Sequence, residues 1–187
     1  MTDGDGPNAE AASRLWLVPA LIVIAGGVAL VAIRSYASES DNGEGLLADI
    51  AFGAPAFMAG IVALLAIWRG YPFVVVGTSV ALMPIALVSV ILWPLMVPVA
   101  LLMAFGAPRI SHTSASEIAA GGLTAVGLVS AFVLLLVHED PVTWQSADGT
   151  RQGYSSDIIT NVEASASLAI VAIVGFVAGA TMLRRRR

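Results

Sequence analysis

The chain has no cysteine and no lysine among its 187 residues. The first absence removes disulfides, thiolate metal sites and a thiol nucleophile, and leaves the redox compartment open. The second makes all nine basic residues arginine, which beside so much Ala, Val and Gly reads as the codon bias of a GC-rich genome. Charge of either sign is scarce. Asp, Glu, Lys and Arg make up 12% of the chain, against about a quarter in soluble domains. The net charge of −4 supplies no basic footprint for nucleic acid. A nucleotide-binding glycine loop, an HExxH helix, a haem-ligand pair and a Ser–His–Asp order are all missing. The sequence therefore assigns no catalytic, cofactor-binding or metal-ligating residue and implies no cofactor.

The residues that are present are 58% hydrophobic and gathered into long runs. Leu15 to Ile33, Ile50 to Trp68, Ile118 to Val137 and Ser165 to Leu183 are uncharged stretches of 19 to 20 residues. Each would span about 28–30 Å as a helix, close to the roughly 30 Å of bilayer hydrocarbon. Lipid offers no partner for an open backbone hydrogen bond, so each run is expected to be helical. Two starts carry a capping-box pattern, Ser114 with Glu117 and Thr160 with Glu163.

The stretch from Gly70 to Pro108 holds no Asp, Glu, Lys, Arg or His over 39 positions. One tilted crossing uses about 20 to 25 residues and leaves the rest without a place. Two crossings fit if the chain turns near Trp93 and Pro94, since Trp favours the lipid–water interface and Pro a first helical turn. Arginine placement agrees. Two crossings put Arg14, Arg69, Arg109 and Arg184 to Arg187 on one side, seven against Arg34 and Arg151 on the other. One crossing gives only six against three. By the positive-inside rule the richer side is cytoplasmic.

The expected fold is thus an all-α, polytopic transmembrane helix bundle of about six spans, with the third and fourth forming a tight apolar hairpin. The spans are 15–33, 50–68, 72–91, 94–108, 118–137 and 165–183. Residues 1–14 form a flexible cytoplasmic tail and 184–187 a basic one, so both termini of this multi-pass cell-membrane protein are cytoplasmic. Trp16, Trp68, Trp93, Tyr36 and Tyr71 all fall at span ends, as interfacial aromatics should. One alternative treats the first span as a signal peptide cut near "RSYAS", which leaves five spans.

The polar loop "HEDPVTWQSADGTRQGYSSDIITNVE" then faces outward. His138, Trp144, Arg151, Tyr154, Asp157 and Glu163 are its candidate interaction residues, with the aromatics as anchors. Its scattered acids show no metal-ligand spacing, and a lone His with distant carboxylates is poor support for an enzyme site. Gly175 and Gly179 form a GxxxG in the last span and read as a helix-packing pair, within the bundle or between copies. Arg184 to Arg187 read as an orientation signal or a lipid-headgroup contact. No ionisable residue lies in the middle of a span, whereas ion-coupled transporters place such groups in the bundle. The interior polar groups are small: Thr78, Ser79, Ser89, Thr124, Ser130 and Thr181. "DIAFG" at Asp49 echoes "EIAAG" at Glu117, a faint trace of an inverted repeat.

"MPIALVSVILWPLMVPVALLMAFGAPR" followed by "SSDIITNVEASASLAIVAI" resembles a pattern in small uncharacterised integral membrane proteins of GC-rich bacteria. The matching positions are Pro94, Pro98, Arg109, Asp157 and Glu163. The resemblance covers the C-terminal half and implies an apolar hairpin before a basic cytoplasmic loop, with no known activity.

Three functional readings follow. The first is a non-catalytic membrane protein whose loop at 138–163 is an interaction surface for a protein partner. The second is a small-solute transporter or channel subunit, working as a homo-oligomer. The third is a membrane enzyme with a site at the outer interface. The bilayer is a partner in all three, and nucleic acid in none.

Overall fold

The computed structural model of the protein describes residues 17–41, 46–88, 93–106, 114–137, 142–155 and 159–184. They form six helices and one small hairpin: α1 Leu17–Asp41, α2 Leu46–Arg69, α3 Pro72–Val88, α4 Trp93–Gly106, α5 Ala115–Leu134, β1 Val142–Gln145, β2 Gln152–Ser155 and α6 Asn161–Arg184. The all-α bundle is as expected, with the two strands confined to the long polar loop. Four helical stretches, 17–36, 46–69, 115–134 and 161–183, are long and apolar enough to cross a membrane. α3 and α4 are shorter, at 17 and 14 residues, or about 25 and 21 Å. The turn between them falls at 89–92, outside the described residues, and α4 begins at Trp93 rather than Pro94.

Local chemistry sets the element ends. α2 stops at Gly70, whose φ of 73° is open to glycine without strain. The Gly70 N–H donates to the Ile67 carbonyl at 3.2 Å and the Tyr71 N–H to the Ala66 carbonyl at 2.8 Å, the paired bonds of a Schellman stop. Pro72 then opens α3 at the one position where its missing N–H costs nothing. Both capping boxes form. The Ser114 N–H donates to Glu117 Oε2 at 3.3 Å. The Thr160 N–H donates to Glu163 Oε2 at 2.7 Å, and the Glu163 N–H returns to Thr160 Oγ1 at 3.3 Å.

The helices pack as two rows of three. α1, α2 and α6 make one row and α4, α3 and α5 the other, with α1 on α4, α2 on α3 and α6 on α5 across the rows. Half of the α2 window is buried, against 28% in α1 and α6, because α2 sits in the middle of its row. Contacts fix the directions. Gly60 lies against Ala20 and Ile24, and Gly53 against Gly27 and Val31, so α1 and α2 are antiparallel. Gly121, early in α5, lies against Phe73 and Gly77, early in α3. α3 and α5 therefore run the same way, with α4 between them in the chain.

Tyr71 stands at the turn between α2 and α3, a span end as expected, and is buried there, with its hydroxyl donating to the Met182 carbonyl at 3.5 Å. The Schellman turn folds it beneath the end of α6. Trp68 and Tyr36 are exposed, as expected of them. The two stretches that echo one another, at Asp49 and Glu117, both stand in first helical turns, of α2 and α5.

Candidate functional site

The bundle has two distinct ends. The Gly70 end holds the α2–α3 turn, the start of α5 and the end of α6. The other end holds the β-hairpin, the start of α6 and the facing ends of α1 and α2.

At the hairpin end, β1 and β2 pair antiparallel with Thr143 opposite Tyr154 and Trp144 opposite Gly153. Gly149 closes the connecting loop at φ 69°. The Ser146 hydroxyl and the Thr150 N–H both bond Asp148 Oδ1, the latter at 3.0 Å. The Arg151 N–H donates to Ser146 Oγ at 3.1 Å, and the Ser146 N–H to the Arg151 carbonyl at 2.8 Å. Those donors, the Ser146 hydroxyl first, lower the exposed Asp148 carboxyl to a pKa of about 2. The hairpin packs broadly on none of the helices.

Of the six interaction residues expected from sequence, Trp144, Arg151, Tyr154 and Glu163 are among the described residues. His138 and Asp157 lie outside the described residues. Trp144 and Tyr154 are brought onto adjacent strands, though not opposite each other. Arg151 is exposed at the loop. Glu163 is committed to the start of α6, its carboxylate accepting from both the Thr160 N–H and hydroxyl. No group of three or more His, Asp or Glu side chains able to hold a metal occurs among the described residues.

Below the hairpin lies a polar group that the sequence reading did not single out. Asp49, in the first turn of α2, is buried to 2% exposure. Its Oδ2 accepts from the Ser35 hydroxyl of α1 at 3.0 Å. Its Oδ1 stands 3.6 Å from Arg34 Nε, an ion pair beyond hydrogen-bond reach. The Arg34 guanidinium also lies 4.8 Å over the Phe52 ring, which tilts against Phe132 of α5 at 5.4 Å. The group ties α1, α2 and α5 together. Arg34 lies well inside α1 and Asp49 in the first turn of α2, so the pair forms between two helices rather than within the segment that joins them.

Glu117 is the matching carboxylate at the Gly70 end, fully buried in the first turn of α5. Both buried carboxylates are therefore at helix N-termini, where the backbone dipole favours negative charge. Between them the interior is apolar apart from hydroxyls. Thr78 and Ser79 donate to the Val75 carbonyl at 2.7 and 2.8 Å, and Thr124 to the Ala120 carbonyl at 2.8 Å. Thr181 donates likewise to Val177 at 2.8 Å. Their polarity is spent on their own helices. Ser130 is exposed, and Ser89 lies outside the described residues. Ser167 is buried, and its hydroxyl has no hydrogen-bond partner among the described residues.

The glycine pair in α6 divides. A Cβ on Gly175 would come within 2.7 Å of Met58 Sδ in α2, so Gly175 packs within the bundle. A Cβ on Gly179 would meet nothing within 4 Å, so that position makes no close contact inside this chain.

No protein-family model, curated protein or solved structure matches the chain. Function must therefore be argued from the arrangement itself.

Proposed function

We propose that this is a multi-pass integral membrane protein without catalytic activity, whose segment 138–163 is displayed outside the membrane as an interaction surface for a protein partner. The supporting observation is the pairing of a lipid-compatible bundle with a hairpin that packs broadly on none of its helices. Val80, Leu87, Leu102, Val126, Ile173 and Phe176 are more than half exposed, a ring of large apolar side chains that water would penalise and hydrocarbon accepts. A two-stranded hairpin is at best marginal alone in water. Trp144 and Tyr154 on its strands are the residue types that anchor interfaces.

Depth fits as well. Asp49 and Arg69 are 20 positions apart on one helix, about 30 Å, which matches the hydrocarbon thickness. Arg34 and Asp49 then lie at one interface and Trp68 and Arg69 at the other. The arginine count makes the Gly70 end cytoplasmic, with both termini. The location of the buried carboxylates, in first turns rather than mid-helix, weighs against an ion-coupled carrier.

Single-cysteine labelling tests the layout, because the native chain has no thiol to confuse it. In intact cells an impermeant reagent should modify Ser146→Cys and spare Ser114→Cys. Equal reactivity at the two positions would refute the sidedness. Replacing 142–155 with a Gly/Ser linker should abolish capture of an outer partner while leaving the bundle folded. Unchanged capture would remove the hairpin from the interface.

A further inference from the structure

We propose that the partner of the outer hairpin is a second copy of this chain, the two joining along the free edges of their β1 strands into one four-stranded antiparallel sheet. The inference rests on the reading above, that the hairpin is displayed outside the membrane as an interaction surface, and names its partner.

Main-chain direction identifies the free groups. The Ser146 N–H donates to the Arg151 carbonyl at 2.8 Å, so these two residues face each other as a hydrogen-bonded pair at the mouth of the loop. Hydrogen-bonded and non-hydrogen-bonded pairs alternate along an antiparallel ladder. In the register of this hairpin the next hydrogen-bonded pairs are Trp144 with Gly153 and Val142 with Ser155. The N–H and C=O groups of Thr143 and Gln145 then point away from β2, and those of Gln152 and Tyr154 away from β1. Among the described residues no third strand pairs with either edge, and the hairpin packs broadly on no helix.

The β1 edge is held in shape and left unprotected. The bonds of Asp148 to Ser146 and Thr150, with Gly149 at positive φ, fix where the strand ends. Val142 to Gln145 hold neither charge nor proline, the usual means of blunting an open edge. Three of the four are β-branched or aromatic, the types that favour strands.

Self-pairing fits this edge better than an unrelated peptide does. An antiparallel edge meets itself about a two-fold axis, so one surface serves both copies. Because β1 is uncharged, no like charges come to stand opposite each other. A two-stranded hairpin is marginal in water, and independent stability takes three strands or more. A second copy brings two strands at once, the support that the helices of the same chain do not give. Insertion in one orientation sets both edges at one height above the bilayer, which raises their effective concentration. Pairing Thr143 of one copy with Gln145 of the second satisfies every outward group of both edges and sets Trp144 opposite Trp144 at the axis. Aromatic pairs so placed stabilise a ladder. The same operation on β2 sets Gly153 opposite Gly153, with no side chain to pack.

Disulfide trapping in membranes of cells expressing the full chain tests the pairing, because the native chain has no cysteine. Directly opposed non-hydrogen-bonded positions are about 4.5 Å apart at Cα, within disulfide reach. Under mild oxidation Trp144→Cys should cross-link at least about tenfold faster than Ala147→Cys in the loop, which reports random collision. Thr143→Cys and Gln145→Cys should cross-link to each other when coexpressed and poorly each to itself, since like positions then lie more than about 7 Å apart. Gln145→Pro removes an outward N–H and no bond of the hairpin, and should convert the dimer seen by native mass spectrometry to monomer. Equal rates at 144 and 147, faster trapping of Gly153→Cys than of Trp144→Cys, or a dimer indifferent to Gln145→Pro overturns the proposal. An impermeant thiol reagent separates the two readings. If it modifies Ala147→Cys on intact cells while Trp144→Cys is not trapped, only this inference falls. If Ala147→Cys is spared, the displayed hairpin falls with it.

Discussion

The seam between α3 and α5 and the glycine pair of α6 use the same residue type to opposite ends. At the seam, a Cβ on Gly77 would run into the Gly121 backbone, and one on Gly121 into that of Phe73. Neither neighbour can yield, because both are main chain within helices. In α6, Gly175 faces only the flexible end of Met58, and Gly179 faces open space. The GxxxG spacing stands out in sequence, while Gly77 and Gly121 are 44 positions apart and announce nothing. Small residues permit close approach, but whether two backbones meet is set by which helices become neighbours.

Substitutions can break that contrast. The largest effect is expected at the seam. Gly121→Leu or Gly77→Leu must push α3 from α5, at a cost above the roughly 1–3 kcal/mol of ordinary overpacking, and folded protein should not be recovered after detergent extraction. Normal yield and melting would show that the seam is not tight.

Next comes Asp49→Ala, which leaves Arg34 without its carboxylate. Removing one partner of a buried pair costs about 3–5 kcal/mol, but the Arg34 side chain is 24% exposed. A loss of about 2 kcal/mol is therefore expected, read as a lower melting temperature in detergent. Asp49→Asn, which keeps an acceptor for Ser35, should lose less. An equal loss in both variants would assign the whole effect to charge.

In α6 the order should be Gly175→Ala above Gly179→Ala. The first asks Met58 to shift and costs under about 1 kcal/mol. The second stays within about 0.5 kcal/mol and leaves the oligomeric state unchanged if Gly179 meets lipid. A change of assembly in Gly179→Ala would instead place a second copy of the chain on that face.

The smallest effect is local. Asp148 has a folded pKa of about 2, below its ordinary 3.8. Its contribution to hairpin order is thus present above pH 3.8 and lost as pH falls through 2. The Asp148 carboxyl resonance should titrate in that low window, and Asp148→Asn should remove the acid-induced loosening of the loop. Titration near 3.8 would mean that the Ser146 and Thr150 bonds do not form in solution.

The reading of the architecture came from patterns that act over short distances. The four uncharged runs, the two capping boxes and the Gly70–Tyr71–Pro72 stop and restart were legible, because span length, caps and turns depend on residues within a few positions of one another. Two traversals of Gly70 to Pro108 are inferred from length and arginine placement, and helices α3 and α4 both form within that stretch. The Arg34–Asp49 pair went unread because the two residues are 15 positions apart on different helices, and their meeting depends on how α1 packs on α2. The burial of Tyr71 was not legible for the same reason, since its cover comes from the end of α6, 111 residues away.

The sequence alone determined that this chain is helical and built of long apolar runs with its charges set between them, because span length, caps and turns are written in residues close together in the chain. Only the tertiary structure decided which helices touch, which glycines matter and which carboxylates are buried. Those outcomes depend on contacts between segments that share no local pattern, and packing selects one such set of neighbours from many that the same runs would allow.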